Sequence, residues 1–204
     1  MSYISNIEEI RARARQKIEQ GAVTEDYQLD PDKVVSILNE ALATEIVCVL
    51  RYRFHYFMAT GIHSAAVAEE FLEHANEEQK HADIIAHRIK QLGGKPEMNP
   101  EVIIQNSHSE YKEGTSLADM IREDLIAERI AIGSYREIIN FFGDNDPTSR
   151  VMMEKILAKE EEHADELTDL LFVVEPDSNR LMKRQYFKDE VPLRSETTTG
   201  GKSN

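Results

Sequence analysis

Glu78-Gln79-Lys80-His81 and Glu160-Glu161-Glu162-His163 are two copies of one pattern, Glu-x-x-His, and each interrupts an apolar stripe of helical period. A three-residue step on a helix puts the carboxylate and the imidazole on the same face. Read outward in steps of three and four, the first copy lies on Val67, Phe71, His74, Glu78, His81, Ile85 and, after one longer step, Leu92. The second lies on Met153, Ile156, Glu160, His163, Leu167, Leu170 and Val174. Two further stripes carry one carboxylate each. One runs Val35, Leu38, Leu42, Glu45, Val49, Tyr52; the other runs Leu117, Ile121, Leu125 (or Asp124), Glu128, Ile132, Tyr135, Ile139, Phe142. Every stripe therefore has a carboxylate near its middle, where a core-facing helix is ordinarily apolar.

Sparse glycine and proline bound four long helices around these stripes. Asp30-Pro31 is an N-cap followed by proline at the first helical position, and the pattern runs to about residue 60, before Gly61. The second helix starts after Ser64 and stops at Gly93-Gly94, with Pro96 beyond. The third starts at Ser116, with Asp119 three residues on as a capping-box-like pair, and ends near Phe142. The fourth begins at Asp146-Pro147 and ends before Pro176. Only a few residues link the first helix to the second and the third to the fourth, so each pair is an antiparallel hairpin. The link between the hairpins, 93–115, is more than twenty residues. A helix of about 28 residues spans roughly 42 Å, and only a link of that length carries the chain back along it. The predicted fold is all-α: a ferritin-like antiparallel four-helix bundle, two hairpins joined by one long crossover, over residues 30–175. Residues 1–29 are an N-terminal arm in which Ile7, Ile10, Ala14 and Ile18 space a short helix. Residues 176–204 are a C-terminal tail, poor in apolar residues and expected to be partly disordered. Inside the crossover, Val102-Ile103-Ile104 leans toward β.

Helix geometry brings the four carboxylates to one level. Glu45 and Glu78 are 33 residues apart, Glu128 and Glu160 are 32 apart, and each lies about 16 residues from its hairpin loop, roughly 25 Å along the axis. Buried together, they would repel, at a cost of several kcal/mol for each unpaired charge. No Lys or Arg lies on the stripes to neutralise them. Two divalent metal ions would, because four carboxylates and two neutral imidazoles carry −4. Carboxylate with imidazole suits iron, manganese or zinc. One Glu from each of two helices plus Glu-x-x-His from the other two is the di-iron carboxylate pattern. The candidate ligands are Glu45, Glu78, His81, Glu128, Glu160 and His163. In a chain with 30% charged residues a single Glu-x-x-His means little. Six such residues on four stripes at one level cannot be dismissed as solvated surface acids.

Composition bounds the rest. The chain has 204 residues and a net charge of −14, which argues against nonspecific nucleic-acid binding by the bundle and suits cation handling. The arm carries −1 and residues 175–204 carry +1, so the acidity resides in the bundle. One cysteine, Cys48, excludes an intrachain disulfide framework and every site needing two thiolates. No window approaches 18 apolar residues, so no transmembrane helix is expected. The N-terminus shows no apolar signal region, and a cytoplasmic location is expected.

EEQKHADIIAHRIKQLGGKP (77–96), EDLIAERIAIGSYREII (123–139) and KEEEHADELTDLL (159–171) resemble bacterioferritin and the wider ferritin superfamily, and the likeness covers about residues 31–174. The resemblance implies a ferroxidase centre inside each subunit that uses two iron ions, with manganese or zinc as substitutes. Glu45, Glu78 and His81 would serve one ion, and Glu128, Glu160 and His163 the other, with glutamates bridging. Tyr52, seven residues after Glu45, matches a tyrosine beside that centre; a redox role and a plain core aromatic both remain open. The implied activity is oxidation of ferrous iron by oxygen or hydrogen peroxide, with storage of the ferric product in a homo-oligomeric cage of 12 or 24 chains. Two departures matter. Bacterioferritins hold haem with a methionine directly after the glutamate of the second helix. Here that residue is Gln79, and Met58, Met98 and Met120 do not replace it, so haem is not expected. The fifth helix of bacterioferritins is also poorly matched after the fourth, which keeps a 12-subunit mini-ferritin shell open.

Two other functions compete with iron storage. One is a di-metal redox enzyme without storage, such as a manganese catalase or a peroxidase. The other is a DNA-protecting mini-ferritin shell, carried by Arg11, Arg13, Arg15 and Lys17 on the arm. Glu8, Glu9 and Glu19 flank that basic cluster, so a solvated helix is preferred and DNA binding is not expected. His74 reads as a core histidine or an iron-access residue. Glu73 and Glu77 are candidates for an acidic inner surface. His55, His63, His87 and His108 read as surface residues, and Cys48 as a small buried hydrophobe.

Overall fold

A computed structural model describes residues 6–62 and 64–175. Six α-helices follow in order: α1 (Ile7–Arg13), α2 (Pro31–Met58), α3 (Ser64–Gln91), α4 (Pro100–Asn106), α5 (Leu117–Phe142) and α6 (Pro147–Val174). The described residues contain no strand. The helix starts follow from the sequence. Asp30 accepts from the Asp32 amide and Asp146 from the Ser149 amide, each with proline next in the chain. Ser116 accepts from the Asp119 amide, and Asp119 reaches back to the amide and hydroxyl of Thr115 at 2.8 and 2.9 Å. At the end of α3, Gly93 takes a positive φ of 79°, and Gly94 lies so close to Val35 that a β-carbon there would meet its methyl groups at 2.5 Å.

Helices α2 and α3 form one hairpin and α5 and α6 the other; the crossover runs back along the bundle. The run Val102-Ile103-Ile104 lies in helix α4 rather than in a strand. Asn99 caps it and Pro100 presets its first turn, and these local signals outweigh the β preference of three branched side chains. Ile103 packs on Ala43 and Val47 of α2. Side chains of α2 then hold the crossover backbone: Thr44 accepts from the His108 amide, and Arg51 donates to the Glu110 carbonyl at 2.9 Å.

The apolar core divides in two. One cluster gathers Leu38, Leu42, Ile85, Ile89, Tyr135, Phe142, Met153 and Ile156. The other gathers Cys48, Tyr52, Val67, Phe71, Ile121 and Leu167. Glu45, Glu78, Glu128 and Glu160 fall between these two sets along their helices.

Several details differ from the sequence reading. His55 is fully buried rather than exposed, with Nδ1 2.7 Å from Asp124 and Nε2 3.1 Å from the Lys112 carbonyl. Arg51 donates to the other oxygen of Asp124 at 2.8 Å, and this pairing is what allows three polar groups into the core. Of the two residues the sequence left open for that position of α5, Asp124 is the fully buried one and Leu125 packs partly buried beside it. His87 is exposed, His108 is half-buried, and His63 lies outside the described residues. In the arm, Ile7 and Ile10 of α1 are exposed and Ile18 more so, so no described residue covers this stripe. Val23, Tyr27 and Leu29 dock the arm to the bundle instead. The expected C-terminal tail, 176–204, lies outside the described residues.

Candidate metal centre

The four helices present their interrupting residues to one buried layer. Glu45, Glu78, Glu128 and Glu160 are each 1% exposed, His163 is fully buried and His81 is 8% exposed. His81 Nδ1 lies 3.0 Å from Glu160, 3.3 Å from Glu45 and 3.7 Å from Glu78. His163 Nδ1 lies 3.0 Å from Glu78, 3.7 Å from Glu160 and 3.9 Å from Glu128. Two ligand sets result, Glu45-Glu78-His81-Glu160 and Glu78-Glu128-Glu160-His163, with donor atoms in each set within 4.8 Å of one another. Glu78 and Glu160 belong to both sets, so the layer offers two candidate sites that share two carboxylates.

The fit to metal shows in what these side chains leave unmade. Glu45 Oε2, Glu78 Oε1, Glu128 Oε2, Glu160 Oε1 and Nδ1 of both histidines are buried without a directed hydrogen bond. Nitrogen and oxygen stand as close as 3.0 Å here, yet none of these six atoms makes a hydrogen bond of proper geometry. Buried polar atoms normally find partners. Six orphans in one layer, with a −4 donor set, match two divalent cations.

Electrostatics of the ion-free layer tell the same story. Burial, then the charges of Glu78 and Glu160, push Glu45 well above the usual carboxylate range. Burial, then Glu160 and Glu78, do the same to Glu128. Burial also works against charge on Glu78, but the neighbouring Glu45 carboxyl and the His163 and His81 rings outweigh it and hold that carboxyl well below its ordinary value. For His163, burial lowers the pKa while Glu160 and Glu78 raise it more, up to about 10. His81 moves the same way, its burial outweighed by Glu160, Glu45 and Glu78. The upward shifts of Glu45, Glu128 and His163 have one cause: a buried excess of negative charge that bound cations would offset.

A supporting shell fixes these ligands. Tyr52 donates its hydroxyl to Glu128 Oε1, and Tyr135 donates to Glu45 Oε1. His163 Nε2 pairs with Glu77 at 2.8 Å, which turns its Nδ1 inward. The sequence reading placed Tyr135 on a core stripe without assigning it a partner and treated Glu77 as an inner-surface acid. The signal for Tyr135 was available: it stands seven residues after Glu128, as Tyr52 stands seven after Glu45. His81 meets a surface cleft of about 700 Å³ walled by Ile84, Val151, Met152 and Lys155. Gln79 is exposed and donates to Asp83 at 3.0 Å.

Two hairpins, one crossover and a shared carboxylate–imidazole layer define the class of di-metal carboxylate four-helix bundles. The chain belongs to the ferritin-like family, whose domain matches residues 35–175. It is 33% identical to the bacterioferritin of Mycobacterium leprae over 141 residues, covering 69% of this chain and 84% of that one. It is 27% identical to the DNA protection during starvation protein of Pyrococcus furiosus, covering 70% of this chain and 79% of the relative. Among solved structures, the bacterioferritin-related protein from Bacteroides fragilis, described as a dodecameric thioferritin, superposes with a TM-score of 0.69 at 33% identity. That match covers 78% of this chain and 93% of the other. No helix among the described residues is long and apolar enough to cross a membrane.

Proposed function

We propose that this chain is an iron-storage protein that oxidises ferrous iron at an intrasubunit di-metal centre. The observation that carries this reading is the pair of ligand sets sharing Glu78 and Glu160, each ligand with a buried donor atom lacking a hydrogen bond. Glu45 and His81 complete one site; Glu128 and His163 complete the other. Ferrous iron is the substrate, and two ferrous ions supply the two electrons that, with two protons from solvent, reduce dioxygen to hydrogen peroxide, or hydrogen peroxide to two waters. The carboxylates hold the cations and balance their charge. Tyr135, Tyr52 and Glu77 hold Glu45, Glu128 and His163 in place. The bacterioferritin relative supports storage as the outcome. Storage needs an enclosed volume, and the bundle-borne charge of −14 would draw cations toward it.

The assembly we propose is a homo-oligomeric cage of twelve chains, supported by the dodecameric relative. On the arm, Arg11 pairs with Glu8 at 2.5 Å and Arg13 with Asp26 at 3.8 Å. These pairings leave less free positive charge for DNA, so storage is favoured over DNA protection. One preparation tests both parts. Light scattering should give a mass near twelve times 23.4 kDa, and stopped-flow oxidation should saturate at about two ferrous ions per chain in the mineral-free protein. A monomer or dimer that still oxidised iron would point to a di-metal enzyme without storage. Loss of fast oxidation from the wild-type chain would remove the ferroxidase assignment.

A further inference from the structure

A second group of metal-binding side chains lies outside the six-residue layer. Glu70 and His74 stand one turn apart on α3, and Glu166 faces them from α6. One donor atom from each lies within 4.8 Å of the others. His74 Nε2 is 3.0 Å from Glu166 Oε2 and 3.6 Å from Glu70 Oε1. The imidazole is 1% exposed and its Nδ1 is buried without a hydrogen-bond partner. The two carboxylates reach solvent, with side-chain exposures of 30% and 41%.

The charge here has no close lysine or arginine partner; Lys159 acts on Glu166 only at a distance. Among the described residues, neither Glu70 nor Glu166 is ion-paired with a lysine or arginine. A single hydrogen bond from His74 to Glu166 satisfies one carboxylate and leaves Glu70 facing it. Two carboxylates and a neutral imidazole carry −2, which one divalent ion balances. Imidazole with carboxylate suits zinc, manganese or iron, and the solvent-facing side leaves positions for water. The site is also continuous with the buried layer. The His74 ring stacks on His163, with centroids 4.0 Å apart and planes 22° from parallel.

We propose that Glu70, His74 and Glu166 form a third divalent-metal site, completed by water, on the solvent side of the six-residue layer. Its relation to a di-metal centre rests on the function proposed above; its three ligands do not.

Zinc alone is the probe, because it keeps one oxidation state. The metal-free full-length chain is titrated with zinc, and zinc-soaked crystals are measured by anomalous scattering. The wild type should bind three ions per chain, one of them about 2.1 Å from His74 Nε2. A Glu70→Gln/Glu166→Gln double variant, close in shape to the wild type, should bind two and lose that anomalous peak. A Glu45→Ala/Glu128→Ala variant should keep it. No zinc at His74 in the wild type, or an unchanged stoichiometry in the Gln variant, overturns the proposal. Zinc at His74 with none in the six-residue layer upholds the third site and overturns the di-metal reading. The reverse pattern overturns the third site alone.

Discussion

Tyr135 donates its hydroxyl to Glu45, across the bundle and 90 residues earlier in the chain. Tyr52 makes the same bond to Glu128 in the opposite direction. Each tyrosine stands seven residues after the glutamate of its own helix and supports the glutamate of the other. The pseudo-twofold relation of the two hairpins therefore extends beyond the ligands to the groups that orient them. A carboxylate fixed by a donor on one oxygen presents the other inward, and Glu45 Oε2 and Glu128 Oε2 are the atoms left without partners.

The first prediction separates the two tyrosines. Tyr135→Phe removes the donor that orients Glu45, and zinc affinity should fall about tenfold or more, as for other groups that hold metal ligands. Tyr52→Phe should weaken binding similarly through Glu128. Competition with a chromogenic chelator measures both. If Tyr52 also carries electrons, Tyr52→Phe alone should slow ferrous oxidation at saturating iron. Equal oxidation rates in the two variants would leave Tyr52 a positioning residue only.

Glu128→Gln isolates charge from shape. Burial, with Glu160 and Glu78 nearby, pushes this carboxyl well above its ordinary range, so the ion-free protein already disfavours its charge. An amide of the same volume should change metal-free stability by no more than about 1 kcal/mol. Metal binding should suffer far more, because one of four anionic ligands is gone. We expect zinc stoichiometry to fall below two in the six-residue layer and fast ferrous oxidation to drop by orders of magnitude. Chemical denaturation of the metal-free variant and stopped-flow oxidation of the loaded one check the two halves. Normal oxidation would remove Glu128 from the site.

Metal binding should eject protons. Glu160 and Glu78 outweigh burial and hold His163 protonated up to about pH 10, so at neutral pH the ion-free site contains an imidazolium. A cation must displace that proton before Nδ1 can bind it. Zinc titration calorimetry in buffers of different ionisation enthalpy should therefore show proton release, and affinity should weaken on acidification. The metal-free fold should behave in the opposite sense. A raised histidine pKa gives stability that is complete below the ordinary value of 6.5 and is lost progressively as pH rises toward about 10. Melting temperatures of metal-free protein across that window should fall, and zinc-loaded protein should not follow. A metal-free melt that is flat with pH would contradict a charged His163.

The buried layer was legible in the sequence because carboxylates on apolar stripes are costly and therefore conspicuous. Period, spacing and one height calculation were enough to bring Glu45, Glu78, His81, Glu128, Glu160 and His163 together. The helix bounds were legible for a different reason: Asp30-Pro31, Ser116 and Asp146-Pro147 are local signals that need no partner. What escaped were groups whose meaning depends on a residue far away in the chain. Tyr135 on an apolar stripe reads as core until Glu45 is known to face it. His55 reads as a surface histidine until Asp124 and the Lys112 carbonyl are found on either side of its ring. Glu70 and Glu166 are ordinary helix acids until the α3–α6 packing sets them around His74. The crossover was hardest, because α4 is seven residues long and its β-branched run outvoted an Asn-Pro start.

Asp146 should be a damaging single loss away from the metal layer. It caps α6 through the Ser149 amide and hydroxyl, at 2.9 and 2.5 Å. Both of its oxygens accept from Arg88 Nη2, at 2.9 and 3.1 Å, and Tyr27 of the arm donates to it at 2.7 Å. One carboxylate thus ties together the start of α6, the end of α3 and the arm. Asp146→Ala removes the cap and leaves Arg88, a residue only 8% exposed, without its anion. Breaking a buried pair from one side costs about 3–5 kcal/mol, and the cap adds about 1. Arg88→Met should cost less, because the methionine fills the apolar stem while Asp146 keeps Ser149 and Tyr27. The pH dependence follows from the same contacts. Burial acts against charge on Asp146, but its bonds to Ser149, Tyr27 and Arg88 outweigh that and hold its pKa below 3.8. Its contribution is therefore present above that value and disappears as pH falls through the lower, folded-state pKa. Urea denaturation of metal-free protein at one fixed chain concentration should rank wild type above Arg88→Met and Arg88→Met above Asp146→Ala. The gap between wild type and Asp146→Ala should narrow only in strong acid. If Arg88→Met proved the worse of the two, the dominant contribution would lie in the guanidinium's bond to Ser149 rather than in the Asp146 hub.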